Sequence, residues 1–406
     1  MSINIEILKE GGITTPKGFL AGATYAGIKK NSKDALDLCI LFSEVSCPTA
    51  AVFTNNKIKA APVILNQNRL NIRSKSRAII INSGCANACT GHQGMDAAIE
   101  TSKLAARKLG ISSDEVLVAS TGVIGVQLPM EKIADGVNHI VLSKKGGQRF
   151  TRAIMTTDTK PKSIALAVNN GHERFLIGGT CKGAGMIHPN MATMLCFLTT
   201  DAVVDYDYLC LELKNVADMS FNMISIDGDT STNDTVILMA NGLSRNAVIN
   251  HSSDLAAAFH QALQEVCVYL AKSIASDGEG ATRLIEIVID GALNLADARL
   301  AARTVSNSPL VKTAVHGCDP NWGRIIAAVG RSGAEVIQDK VDVYIGGMCL
   351  LKSGIPLPFD KKEASNLLRQ NEVLLKVNLN LGKYCATAWG CDLSKEYVTI
   401  NSDYTS

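Results

Sequence analysis

Aromatic residues are scarce in this chain. Phe, Trp and Tyr make up 5% of its 406 residues, which leaves little on which nucleic-acid bases could stack. Neither sign of charge dominates: 40 Lys and Arg stand against 38 Asp and Glu, a formal net charge of +2. No basic block appears, so neither nucleic acid nor an anionic membrane is an indicated partner. Long apolar runs are also missing, and none approaches the ~18 residues of a membrane span. The N-terminal MSINIEILKEGG has acidic residues and no long apolar core, so no signal peptide is expected. Metal spacing is lacking too, because Cys85-x3-Cys89 with His92 has no second pair at zinc spacing. These absences point to a ligand that is a small molecule and to a site without metal.

Apolar residues amount to 47% and charged ones to 19%, the composition of a well-packed globule rather than a disordered chain. The twelve cysteines lie mostly in apolar stretches such as MLCFL and EVCVYL. They read as small buried hydrophobes in a reducing, cytoplasmic compartment, not as a disulfide framework. The expected fold class is α/β. Residues 1–76 read as short strands and turns, RAIIIN (77–82) and EVLVAS (115–120) as strands, and 96–109 as the helix between them. A helix is expected over about 131–155, then one over 205–221 capped by Asp205, a buried strand at 236–241 and a striped helix at 254–275. From 284 the pattern is a strand, a helix near 294–303, a second through DPNWGR and a strand at 341–346. A helix near 360–370 leads into strands at 373–379, 384–389 and 396–401. A domain boundary is placed near 283, giving a main lobe 1–283 and a smaller C-terminal α/β lobe 284–406.

One stretch organises the rest: GGTCKGAGMIHPNMATMLCFLTTD, residues 178–201. Lys182 sits among glycines, but Cys181 precedes it and Gly183 follows, so the phosphate-loop pattern fails. A lysine so weakly shielded suits a small carboxylate. Within the chain, Thr193 has no base. Were the Ala192–Thr193 bond to break, the new α-amino group, with a reference pKa of about 7.7–8.0, would supply one. The same letters also fit a helix-start residue before a buried segment. Elsewhere, Thr121-Gly122 follows a strand, where backbone N–H groups can meet an oxyanion or simply turn the chain. Thr156-Thr157-Asp158-Thr159 caps a turn or meets a ligand. IDGDTSTNDT (226–235) is a self-bonded brace or, less regularly spaced than an EF-hand, an ion loop. Glu279, between two glycines, is free to enter a cleft or to stay in solvent.

KGAGMIHPNMATML resembles the self-cleavage site of the arginine-biosynthesis N-acetyltransferases that move acetyl from N-acetylornithine to glutamate. PKGFLAGATYAGIK, AAVFTNNKIKAAPV, NSGCANACTG, STGVIG, IMTTDT, SIDGDTSTNDT, SDGEGATR and HGCDPNWGR are similar to further blocks of that family, in the family's order. The resemblance implies a layered α/β sandwich that cuts itself between Ala192 and Thr193 into an alpha chain 1–192 and a beta chain 193–406. It implies Thr193 as nucleophile, Thr121 and Gly122 as oxyanion hole, and Thr156, Lys182, Glu279, Asn401 and Ser406 as substrate-binding residues. No cofactor or metal is implied, and the expected assembly is a cytoplasmic heterotetramer of two alpha and two beta chains. Two features depart from the family pattern: Cys85 stands where Asn is common, and Ser406 where the chain often ends in Thr. The family has monofunctional members and bifunctional ones that also use acetyl-CoA, and no nucleotide-binding motif decides between them. A self-processing amidohydrolase or aminopeptidase, and an uncleaved binder of acetylated amino acids, are the competing readings.

Overall fold

Ile79, Ile80 and Ile81 are apolar in succession because their strand is buried on both faces. Ile79 and Ile81 join a cluster with Phe19, Leu41, Phe150 and Phe197, while Ala78 and Ile80 join another with Ala98, Ala105 and Val118. Alternation of side chains across a strand, with helices on each side, produces that split. The computed structural model describes residues 3–29, 35–188 and 194–403.

Among the described residues, sixteen strands form two sheets. In chain order they begin with β1 (Asn4–Ile7), β2 (Phe19–Thr24), β3 (Leu38–Phe53), β4 (Lys75–Cys85) and β5 (Val116–Val123). Next come β6 (Lys162–Asn169), β7 (Arg174–Lys182), β8 (Leu195–Thr200), β9 (Ile224–Ser225) and β10 (Thr235–Ala240). The last six are β11 (Leu284–Ala292), β12 (Asp342–Ile345), β13 (Met348–Lys352), β14 (Ile355–Pro356), β15 (Glu372–Asn378) and β16 (Tyr384–Cys391). The first sheet runs β1-β6-β7-β8-β10-β3-β4-β5, with β2 on the side of β3; the second runs β14-β13-β12-β15-β11-β16-β9. Most pairs are antiparallel, but β8–β10, β4–β5, β11–β15 and β16–β9 are parallel. The α/β expectation holds.

The helices are α1 (Ala61–Ile72), α2 (Gly91–Leu109), α3 (Met130–His139), α4 (Gly147–Ile154), α5 (Tyr206–Met219) and α6 (Ala256–Ser276). They continue with α7 (Leu295–Ser306), α8 (Pro309–His316), α9 (Trp322–Gly330), α10 (Lys361–Leu368) and α11 (Lys395–Asp403). Helix α6 buries Phe259, Leu263, Val266, Leu270 and Ile274, the stripe its sequence shows. It lies against β6 and β7 of the first sheet and β16 of the second, so one core serves both. Asp205 caps α5 by accepting from the Tyr208 N–H, as expected. None of the helices described is long and apolar enough to cross a membrane.

Four expectations need correction. Residues 1–76 contain a 16-residue strand and the helix α1, not only short strands and turns. Within α1 Asn66 is buried, where it accepts from the Val118 N–H and donates to the Val118 carbonyl. The single helix at 131–155 is two, α3 and α4, because Ser143 pairs with Ala21 between them. The helix through DPNWGR is likewise split, α8 ending at His316 and α9 starting at Trp322 after the Asn321 cap. Residues 396–401 lie in α11 rather than a strand. The start of the helix docks on the 279–280 turn, where Ser394 donates to the Gly280 carbonyl and accepts from the Glu396 N–H, while Val398 stays exposed.

Candidate active site

Strand β5 continues through Thr121-Gly122 to Val123, parallel to β4, with Ser83 opposite Thr121 and Gly84 opposite Gly122. Gly122 has φ +129°, and a Cβ there would stand 2.4 Å from the Gly84 carbonyl carbon and 2.6 Å from the Cys85 nitrogen. Glycine is the residue this approach permits. Asn233 pins the same corner: its Nδ2 donates to the carbonyls of Ala86 (2.6 Å) and Ser120 (2.8 Å). Cys85 is buried nearby, its thiol donating to the Val126 carbonyl at 3.2 Å, and burial raises its pKa.

Lys182 ends β7 with 7% of its surface exposed, and among the described residues no hydrogen bond or ion pair holds its ammonium. Burial pulls its pKa down, against the fields of Asp158 and Glu279. An incoming carboxylate would compensate that charge. Thr156 and Thr157 are both in place beside it: the turn that carries them is closed by Asp158, which accepts from the Thr156 N–H at 3.0 Å and the Gly183 N–H at 2.6 Å.

Glu279 is 8% exposed, and its backbone N–H donates to the Ala184 carbonyl at 2.8 Å. It is therefore a cleft carboxylate, not a solvated one. Asn401, on α11, donates through Nδ2 to Glu279 Oε2 at 2.8 Å. The helical form of 395–403 is what turns that amide inwards.

The 226–235 loop is a brace. Asp227 accepts from the N–H groups of Met186 (2.5 Å) and Ile187 (2.8 Å), Ile226 N–H donates to the Ile187 carbonyl, and Thr230 donates to the His188 carbonyl. On the other side Thr235 N–H donates to the Met194 carbonyl at 3.0 Å. The loop thus clasps both flanks of the segment 189–193. Ala192, Thr193 and Ser406 themselves lie outside the described residues, but the Leu195–Thr200 segment that follows Thr193 in the chain is a strand, not the body of a helix.

Thr121, Gly122, Thr156, Thr157, Lys182, Glu279 and Asn401 line one cavity of about 210 Å³. Sequence reasoning missed Asp227, Ser231 and Asn233 as individual wall residues, although the unusual loop that carries them was visible. It missed Tyr397 altogether, since nothing local sets that tyrosine apart. All twelve cysteines are free thiols, and among the described residues no cluster of three or more His, Cys, Asp or Glu is arranged for a metal ion.

The fold and this cavity define an α/β protein with a small, polar, charged site. Residues 20–406 match the model of the ArgJ family. The chain is 56% identical over 406 residues to the arginine biosynthesis bifunctional protein ArgJ of Dehalococcoides mccartyi, covering 100% of both chains. It is 50% identical over 396 residues to that of Symbiobacterium thermophilum, covering 97% of this chain and 98% of the relative. The crystal structure of the arginine biosynthesis bifunctional protein argJ from Bacillus halodurans superposes with a TM-score of 0.50 and 46% identity. It covers 51% of this chain and 97% of that one. The chain belongs to the ArgJ family, and it is an acyltransferase of arginine biosynthesis.

Proposed function

We propose that the chain cuts itself between Ala192 and Thr193 and uses the freed threonine to carry acetyl from N-acetylornithine to glutamate. The observation that carries this reading is the convergence of the Thr121-Gly122 corner, Lys182 and Glu279 on one cavity, walled by the loop that clasps both flanks of 189–193. At about 210 Å³ it is smaller than the ~300–1,000 Å³ of drug-sized pockets and suits an acylated amino acid. Lys182 answers an α-carboxylate. Glu279, steered by Asn401, answers an amino group. The solved Bacillus halodurans chain corresponds to 51% of this one, the length expected of one product of such a cut.

The Thr193 amine takes the hydroxyl proton as Oγ attacks the acetyl carbonyl. The Thr121 hydroxyl and Gly122 N–H stabilise the oxyanion. The C–N bond then breaks, ornithine's α-nitrogen takes up the proton, and acetyl-Thr193 remains. Glutamate's amine attacks that ester, returning Thr193 and releasing N-acetylglutamate, a ping-pong cycle. The cut chains stay together as two alpha and two beta chains in the cytoplasm, and acetyl-CoA is a second donor, in keeping with the bifunctional name of the relatives.

The test is the intact mass of denatured protein beside Thr193→Ala. Wild type should split 43.1 kDa in the ratio 192:214, giving roughly 20 and 23 kDa, and the variant should remain one inactive chain. Assayed with N-acetylornithine, the wild type should acetylate glutamate. Release of ornithine without acetylglutamate would assign it to the hydrolases instead, and an uncut, inactive wild type would leave a binding protein.

A further inference from the structure

Beneath the cavity lies a buried ionic group that the proposed chemistry does not use. Lys162 Nζ donates to Asp158 Oδ1 and to Asp277 Oδ2, both at 2.6 Å, and the three side chains are 2%, 0% and 5% exposed. Each carboxylate is fully employed. Asp158 also holds the N–H groups of Thr156 and Gly183. Asp277 holds the N–H groups of Thr159 (3.0 Å) and Lys160 (3.3 Å) and the Thr159 hydroxyl. Asp277 also terminates α6, two residues before Glu279. A cation at the C-terminal end of a 21-residue helix is favourably placed. One ammonium therefore ties together the three segments that bring Thr156, Lys182 and Glu279 to the cavity.

Charge counting gives the node a sharper role. Two buried carboxylates face Lys162, and a second buried ammonium, Lys182, lies one residue from the Gly183 N–H on Asp158. We infer that Lys162 is a positioning residue that saturates Asp158, so that Lys182 stays free for the substrate's carboxylate instead of being captured by Asp158. This rests on the reading of Lys182 as the carboxylate anchor given above. Burial would raise the Asp158 carboxyl, but Lys182, Lys162 and the Gly183 N–H bring it down to about 2. It is an anion at every working pH and always demands a counterion. Without Lys162, the cation left to it is Lys182. A buried charge stripped of its partner is costly enough to drive that rearrangement.

The experiment compares steady-state kinetics of wild type, Lys162→Met and Lys162→Met/Asp158→Asn, with folding checked by circular dichroism. Wild type must first transfer acetyl from N-acetylornithine to glutamate; if it does not, the functional reading fails, whatever the variants do. Given that transfer, K162M should raise KM for both substrates about ten- to a hundredfold while kcat changes far less. Removing the Asp158 charge in the double variant should recover most of that KM. If K162M does not fold, the charge-balanced Lys162→Gln/Asp277→Asn pair carries the test, since Asp158 must again seek Lys182 and KM should rise. A folded K162M or K162Q/D277N with unchanged KM, or a KM rise that the added D158N does not reverse, overturns the inference.

Discussion

Asp234 illustrates what a single side chain can record. It is enclosed between β8 and the cavity wall, with the Met194 N–H and the Thr54 and Ser231 hydroxyls close by, yet neither carboxyl oxygen completes a well-formed hydrogen bond among the described residues. Burial pushes its pKa well above the usual carboxylate range. The sign follows from linkage. An unfolded Asp ionises near ~3.9, whereas the folded one holds its proton to higher pH, so stability falls as pH rises from about 4 towards the folded pKa. Asp234→Asn should therefore match wild type near pH 4 and exceed it by at least about 2 °C in Tm at neutral pH. Thermal melts across that range check this, and a variant less stable at neutral pH would mean an ionised Asp234. Thr121, Gly122, Lys182 and Glu279 were all visible in the sequence because motifs surround them. Asp158 was visible only as one member of a polar turn, and Lys162 and Asp277 as nothing in particular, since their meaning lies in contacts 115 residues apart in sequence.

At the scale of elements, α11 is the instructive case. Its VTIN run (398–401) alternates like a strand, and β-branched residues favour strands. No sheet edge receives it; the start of the helix docks on the Gly280 turn instead, and tertiary docking overrides local propensity. Gly280 has φ +69°, and a Cβ there would meet the Tyr397 nitrogen at 2.5 Å and Ser394 Oγ at 2.8 Å. Gly280→Ala should push α11 away, separate Asn401 from Glu279 and raise KM for both substrates about tenfold, the loss of one hydrogen bond to a charged group. Unchanged kinetics in folded G280A would remove α11 from the substrate site. By contrast, α6 was plain in the sequence, because a long helix buried along one face writes its period into the chain.

For the whole molecule, the question is cooperativity. Helix α6 precedes the proposed boundary at 283 and packs on β16 beyond it, while β9 joins the second sheet from the first part of the chain. Leu270 is fully buried in the cluster common to both. Leu270→Ala should cost about 2–5 kcal/mol and lower one calorimetric transition as a unit. Two separated transitions, only one of them shifted, would show that the lobes unfold independently.

The sequence by itself determined the α/β class, the helices with a clean apolar stripe, the strands buried on both faces and the family. These follow from periodicity and from motifs, which are local. Only the tertiary structure decided that α11 is a helix, that the 226–235 loop braces both flanks of 189–193, and that Lys162 joins two aspartates beneath the cavity. A buried charge is stable only where distant segments surround it with partners, and no window of residues along the chain contains that information.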